Sequence, residues 1–209
     1  PPVVPNAILT SGHDIMYRDD VNWVGQSYIL HDFGDYKIID SAQQLNKGQF
    51  KQEANDQDLM IFSFYPTKPV GSIDGGMIVS NDKSKIDRLK TLSRYGTNFE
   101  DNSWERKFVL PGWKMYMNSV QAYVALQNFN KLEAKQKRFD EVREIYNKEL
   151  GLNNTSRHLY RINVKDRDNF ISQMKDDGIQ CGIHYKCVHK IDCYSPKEKC
   201  YLPDSYLDS

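Results

Sequence analysis

Short apolar runs separated by polar segments dominate the first eighty residues of the chain. Four of these runs are strand candidates: Ser27 to Leu30, Tyr36 to Ile39, Leu59 to Phe64, and Met77 to Val79. Short apolar runs of this kind are typical of buried strands in an α/β sheet. The polar segment from Gly48 to Asp58 is predicted to be a loop.

Helical periodicity follows the strands. Apolar residues at a spacing of three predict a helix over 82–95. A longer helical stretch is predicted to begin near Asn118, because Gln121 completes a capping-box pattern with it. This stretch is predicted to end at Gly151. We expect it to bend or break within the highly charged segment 131–138.

The last part of the chain has a different pattern. A strand is predicted over 159–164, a helix over 166–178 and a second strand over 179–185. This β-α-β order predicts a small α/β unit. We therefore expect two domains, a large one over 1–151 and a small one over 152–209.

Composition and charge exclude several classes of function. The 209 residues include 28 Lys plus Arg and 28 Asp plus Glu, so the formal net charge is zero. The basic surface expected of a nucleic-acid-binding protein is therefore missing. No apolar run approaches the length that spans a membrane, and no signal peptide is recognised at the start. We expect a cytoplasmic protein that binds neither nucleic acid nor membrane.

Four cysteines occur late in the chain, and they raise the question of a metal site. They are Cys181, Cys187, Cys193 and Cys200, separated by five or six residues. Common zinc modules instead use cysteines in pairs two residues apart. We predict no metal site and expect reduced thiols, while a zinc-binding module remains a distant alternative.

An acid and a lysine follow two of the strand candidates. Asp40 comes directly after Ile39, and Lys68 comes shortly after the run that ends at Phe64. A lysine amine can form a Schiff base with an aldehyde, and a carboxylate can pair with a pyridinium nitrogen. The sequence therefore predicts a site for pyridoxal 5′-phosphate (PLP).

Several motifs resemble those of the DegT/DnrJ/EryC1/StrS family of PLP-dependent sugar aminotransferases. The resemblance covers roughly residues 24–195. In chain order the matching elements are Asp40-Ser41-Ala42-Gln43, Phe62 to Lys68, Asp74-Gly75-Gly76-Met77, Gly112 to Ala122, His158-Leu159-Tyr160 and His184-Tyr185. The resemblance implies an α/β fold of the aspartate-aminotransferase type (fold type I), here with a shortened large domain and a small C-terminal α/β domain. It also implies a homodimer whose active sites lie at the interface.

The resemblance further implies roles for individual residues. Lys68 would form the Schiff base with PLP and transfer the substrate proton. Asp40 would pair with the pyridine nitrogen, and Ser63 would donate a hydrogen bond to the phosphate. Gln43 would lie beside the phenolic oxygen of the ring. Lys114 occupies the position of a family Asn that reaches the phosphate across the dimer.

The implied activity is the transfer of an amino group to a nucleotide-linked keto-sugar, with glutamate as the usual donor. A lysine at position 68 favours transamination over the dehydration performed by relatives that carry histidine there. The resemblance places His184 and Tyr185 on the substrate side of the site.

Two features of the family have no recognisable match in the sequence, and they leave a second class of function open. One is the Gly-Thr/Ser-Ala loop that binds phosphate, and the other is the aromatic residue that stacks on the PLP ring. Trp23, Tyr28 and Trp113 are candidates for the aromatic residue. The alternative is a non-catalytic, shortened relic or partner subunit of the same fold. The presence of Lys68 and Asp40, together with Gln43 and Ser63, favours the enzyme.

Overall fold

The computed structural model describes residues 2–20, 23–98, 102–185 and 187–195. The chain forms two compact units. One unit is Trp23–Tyr160, and the other combines the residues before Trp23 with those after Tyr160. The boundary between the predicted domains, 1–151 and 152–209, differs from the boundaries of these two units. The predicted domains stay a prediction.

A four-stranded sheet forms the centre of the unit Trp23–Tyr160. Its strands are β1 (Tyr28–Asp32), β2 (Lys37–Asp40), β3 (Leu59–Ser63) and β4 (Gly76–Val79), and they lie in sequence order. β2 and β3 are parallel, whereas β1 and β4 pair antiparallel with their neighbours. All four predicted strands are confirmed, with small differences at their ends.

Six α-helices occur in the described residues. They are α1 (Val3–Thr10), α2 (Gln49–Glu53), α3 (Lys83–Ser93), α4 (Ser119–Asn130), α5 (Leu132–Leu150) and α6 (Arg167–Asp176), with short 3-10 turns at Ser103–Glu105, Val188–Lys190 and Asp192–Tyr194. None of the six meets the length and apolarity that crossing a membrane requires.

The sequence signals for α3, α4 and α5 are confirmed. The Asn118 side chain accepts a bond from the Gln121 N–H, and the Gln121 side chain accepts one from the Asn118 N–H. The expected break falls at Lys131, which separates α4 from α5. Gly151 ends α5 with a φ of +64°, a conformation that glycine adopts without steric cost.

The loop predicted over 48–58 is wrong in part, because α2 occupies its first half. The buried side chain of Gln49 explains the difference. Its amide nitrogen donates to Ser41 Oγ at 2.7 Å, and its oxygen accepts from the Asn46 N–H at 2.9 Å. The buried, hydrogen-bonded side chain of Gln49 therefore fixes the start of this helix. The polar composition of the segment did not by itself mean that it is a loop.

The core lies on one face of the sheet. Its buried members are Ile39, Met60, Phe62, Phe64, Val70, Ala125 and Leu132, so the strands pack against α4 and the start of α5. Along β3, Met60 and Phe62 are buried while Ile61 and Ser63 are only partly buried. Because side chains alternate along a strand, Ser63 lies on the face away from this core.

The other unit contains α1, α6 and the two 3-10 turns near the end of the described chain. The predicted helix over 166–178 is confirmed: the Asp166 side chain accepts from the Asn169 N–H, and Gly178 follows the helix with a φ of +77°. Tyr17 donates to the carbonyl of Tyr194 at 2.9 Å.

The two strands predicted around α6 are wrong, since residues 159–164 and 179–185 form no strand in the structure. The first of these segments is divided between the two units, because one unit ends at Tyr160 and the other resumes at Arg161. Neither segment has a neighbouring strand among the described residues, and a strand without a ladder partner leaves its backbone groups unpaired.

Candidate active site

Two strand ends bring two of the predicted site residues to one edge of the sheet. Asp40 is the last residue of β2, and Ser63 is the last residue of β3. The two strands are parallel neighbours, and Asp40 pairs with Ile61 in their ladder. Both residues therefore lie at the carboxyl edge, where ligands of α/β sheets bind.

Two hydrogen bonds fix the carboxylate of Asp40. The Ala42 N–H donates to Oδ1 at 2.8 Å, and the Tyr28 hydroxyl donates to Oδ2 at 2.9 Å. The ring of Trp23 meets the Tyr28 ring edge-on, with 5.6 Å between centroids. A carboxylate has about four lone-pair positions, so each oxygen of Asp40 can still accept a bond from a ligand.

Lys68 lies in the loop that follows β3, with its side chain partly buried. Its N–H donates to the Tyr65 carbonyl at 2.9 Å, which closes a tight turn. Burial lowers the pKa of the Lys68 ammonium, and the nearby carboxylate of Asp40 acts in the opposite direction. Desolvation disfavours the charged form of an amine, so the neutral, nucleophilic form is more accessible than on an exposed lysine.

The loop that carries Lys68 is closed at its base by backbone hydrogen bonds. The Phe64 N–H donates to the Gly75 carbonyl, and the Ser72 N–H donates to the Phe64 carbonyl, both at 2.8 Å. The two ends of the loop therefore run side by side. No residue with a side chain can replace Gly71 in this loop without a backbone shift, because its Cβ would lie 2.3 Å from the Pro66 carbonyl oxygen.

Helix α4 fixes the same loop from outside. Ser72 Oγ donates to the Gln121 carbonyl at 2.7 Å, and Asn128 Nδ2 donates to the Gly71 carbonyl at 2.7 Å. Val70, which directly precedes the two loop residues of these contacts, is fully buried. Sequence reasoning missed Ser72 and Asn128, since the relevant partners are backbone carbonyls that no motif marks.

Ser63 and Gln43 make contacts with the backbone. Ser63 Oγ accepts from the Tyr65 N–H at 3.3 Å, which leaves its own O–H free to donate. Gln43 is buried, and its side-chain oxygen accepts from the Gly25 N–H at 2.7 Å. This contact ties the residues after β2 to those before β1. The expected contact of Gln43 with the cofactor ring stays a prediction.

The remaining predicted site residues lie on other segments. Lys114 is exposed and lies opposite Arg94 in an isolated antiparallel bridge of the same unit. His184 and Tyr185 belong to the other unit, where their rings meet edge-on with 4.9 Å between centroids. The structure thus brings together Asp40 and Lys68 beside Ser63, and their relation to the other three stays a prediction.

The late cysteines form no metal cluster within the described residues. Cys181, Cys187 and Cys193 are reduced cysteines in the second unit. No group of three metal-ligating side chains comes together in the part of the chain that the structure describes. Cys200, the fourth member of the sequence pattern, lies outside the described residues.

Comparisons with known proteins agree on one family. The model of the DegT/DnrJ/EryC1/StrS aminotransferase family matches residues 38–205. A UDP-4-amino-4,6-dideoxy-N-acetyl-beta-L-altrosamine transaminase of Campylobacter jejuni is 23% identical over 207 residues, which cover 90% of this chain and 53% of that protein. The chain spans about half the length of the curated relatives it matches.

Solved structures show the same fold. The aminotransferase TlmJ of Streptoalloteichus hindustanus superposes with a TM-score of 0.67 at 22% identity, covering 82% of this chain and 50% of that chain. Helicobacter pylori PseC, an aminotransferase involved in the biosynthesis of pseudoaminic acid, gives 0.66 at 16% identity, covering 82% and 58%. The predicted α/β fold of PLP fold type I is thereby confirmed. Because the family model matches most of the sequence, the chain belongs to the DegT/DnrJ/EryC1/StrS aminotransferase family.

Proposed function

We propose that this chain provides the cofactor-binding and reacting residues of a PLP-dependent aminotransferase, with Lys68 as the reacting amine. The single observation that carries this proposal is that Lys68, in the loop after β3, lies within electrostatic reach of Asp40 at the carboxyl end of the parallel strand β2. We propose glutamate as the amino donor and a nucleotide-linked keto-sugar as the acceptor. The name of the Campylobacter relative, a transaminase of a UDP-linked amino sugar, supports this acceptor class.

The side chains at this edge fit the chemical needs of PLP. The cofactor requires an amine for its aldehyde, an anion for its pyridinium nitrogen and hydrogen-bond donors for its phosphate. Lys68 offers the amine, Asp40 offers a fixed carboxylate with lone pairs to spare, and Ser63 offers a hydroxyl proton. When bound, PLP supplies an electron sink that stabilises negative charge on the substrate carbon.

The chain's own groups each have a defined task in this proposal. Lys68 Nζ would hold PLP through its aldehyde and, as a free amine, would move a proton to and from the substrate carbon. Its partial burial lowers the pKa of the amine and so makes the neutral form accessible. The carboxylate of Asp40 would pair with the pyridine nitrogen and favour its protonated form. Ser63 donates to a phosphate oxygen at the end of β3.

Four other residues are assigned to ligand contacts as part of the same proposal. Gln43 would contact the phenolic oxygen of the ring. Lys114 binds the phosphate as a point charge, a role that suits a flexible ammonium group. His184 and Tyr185 contact the substrate.

A second copy of this chain is the proposed partner. Helix α4 leaves four large apolar side chains mostly exposed, and the segment before it exposes three more. They are Val120, Tyr123, Leu126 and Phe129 on α4, and Trp113, Met115 and Tyr116 before it. Extended apolar surfaces of this kind mark protein interfaces. We propose a homodimer that covers this surface, with the active sites at the interface. The cytoplasmic location stays a prediction from the sequence.

The visible absorption spectrum of the purified chain with added PLP tests the proposed function. We expect a band of covalently bound PLP that changes on addition of glutamate and is missing in Lys68→Ala. Lys51→Ala, a change of an exposed lysine on α2, is the matched control and keeps the band. Absence of the band from the unmodified chain would contradict the proposal and favour the non-catalytic alternative.

A further inference from the structure

The hydroxyl group of Tyr28 contacts the carboxylate on which the proposed cofactor site depends. Tyr28 lies directly opposite Asp40 in the β1–β2 ladder, so the two side chains share one face of the sheet. The hydroxyl oxygen is 2.9 Å from Asp40 Oδ2, and the bond is partly buried. An ionised carboxylate can only accept, so Tyr28 is the donor.

We propose that Tyr28 is a positioning residue for Asp40, which holds the carboxylate in the orientation that a pyridinium nitrogen requires. This inference rests on the proposed function, because the orientation of Asp40 matters to a bound PLP ring. Tyr28 precedes residues 38–205, which the family model matches, so the family match assigns it no role.

Both oxygens of Asp40 are restrained from different directions. The Ala42 N–H holds Oδ1 from the backbone, and the Tyr28 hydroxyl holds Oδ2 from the neighbouring strand. Rotation of the carboxyl group would break one or both of these charge-assisted bonds. The edge contact with Trp23 limits the movement of the Tyr28 ring in turn.

An irregularity in the hairpin selects Tyr28 for this position. His31 pairs with Ile38, but the register shifts between Ile29 and His31, so that Tyr28 pairs with Asp40. Continuing the register of His31 without the shift would set Ile29 opposite Asp40. A bulge of this kind re-aims side chains, and bulges are frequent beside active sites. The shift thus replaces an apolar neighbour of Asp40 by a hydrogen-bond donor.

Binding of PLP labelled with ¹⁵N in its ring tests the inference on the full chain. Tyr28→Phe keeps the aromatic ring and removes only the hydroxyl that donates to Asp40. Asp40→Asn removes the carboxylate and gives the reference value for a ring nitrogen without an anionic partner. Tyr36→Phe is the matched control, because it removes a hydroxyl from the other end of the same hairpin. The two readouts are the dissociation constant of PLP and the ¹⁵N chemical shift of the bound ring.

We expect Tyr28→Phe to raise the dissociation constant about tenfold, the size expected for one hydrogen bond to a charged group. Its ¹⁵N shift should move from the value of the unmodified chain towards that of Asp40→Asn, while Tyr36→Phe matches the unmodified chain. The inference is overturned if Tyr28→Phe binds PLP with unchanged affinity and shift, or if Tyr36→Phe changes both equally. Failure of the unmodified chain to bind PLP would instead overturn the proposed function, and this inference with it.

Discussion

The ammonium group of Lys68 and the carboxylate of Asp40 act on each other through space, although they follow different strands of the sheet. Burial lowers the pKa of Lys68, and the negative charge of Asp40 raises it. The first effect is the larger of the two. A lysine in this balance loses its proton at a lower pH than an exposed lysine and still feels the charge of an anion, as the proposed chemistry requires.

Removal of the Asp40 charge should lower the pKa of Lys68 further. In Asp40→Asn the desolvation remains, and the carboxylate that raises the pKa is gone. Competitive labelling with acetic anhydride over a range of pH, read from the Lys68 peptide by mass spectrometry, measures the pKa of Lys68 as the midpoint of its labelling curve. We expect it below 10.5 in the unmodified chain and lower still in the variant. Asp74→Asn, an exposed acid of the same loop, is the control, and a midpoint that rises in Asp40→Asn would refute the assignment.

Replacement of Lys68 by methionine should stabilise the PLP-free chain at neutral pH. The folded state then no longer buries part of a charge. The sign follows from proton uptake. Between the lowered pKa of folded Lys68 and the ordinary value of 10.5, the unfolded chain binds more protons. The stability of the unmodified chain therefore rises with pH in that window relative to Lys68→Met.

Urea unfolding of both proteins at several pH values checks this relation. The excess of the free energy of unfolding of Lys68→Met over that of the unmodified chain should be largest below the lowered pKa of Lys68. It should shrink as the pH passes through 10.5. Lys51→Met, on the exposed side of α2, serves as the control and should show no such change. If the stability difference in favour of Lys68→Met grew with pH, the pKa of Lys68 would be raised and not lowered by folding.

The position of the Asp40 and Lys68 pair was largely predictable from the sequence. An apolar run ends directly before Asp40 and another ends four residues before Lys68, and strand ends of an α/β sheet are where side chains reach a ligand. The parallel pairing of β2 with β3 was not predictable, since the residues between them form only a five-residue helix. The contact of Tyr28 with Asp40 was hidden as well, because it depends on a one-residue shift of register.

The secondary structure of the second unit was predicted less well. Apolar residues around α6 favour strands, but a strand exists only where a neighbouring strand completes its hydrogen bonds. Ile162 and Ile179 are instead substantially exposed in segments that pair with no strand. The helix itself was recognisable because its signals are local: Asp166 at its start and Gly178 after its end.

Asn128 should be important for the loop of Lys68 although it lies outside every motif. Asn128→Ala leaves the Gly71 carbonyl without its side-chain donor, which costs about 1–3 kcal/mol for a buried group. We expect a loss of stability in that range by urea unfolding, together with weaker binding of PLP. Asn130→Ala, at the exposed end of α4, is the matched control. Equal stability of the two variants would show that the bond to Gly71 contributes little.

Lys114 provides the sharpest test of the proposed dimer. If Lys114 of one copy binds the phosphate of the PLP whose aldehyde is held by Lys68 of the other copy, Lys68→Ala and Lys114→Ala damage different halves of each site. A mixed dimer of the two variants then contains one intact site, because both changes fall in the other site. Random mixing of equal amounts should restore about a quarter of the unmodified aminotransferase activity, since half of the dimers are mixed and each has one working site. Each variant alone should be nearly inactive. Mixtures that regain no activity, although size measurements show exchange of subunits, would place Lys114 and Lys68 in the same half of the site. Full activity of Lys114→Ala alone would instead remove Lys114 from the site.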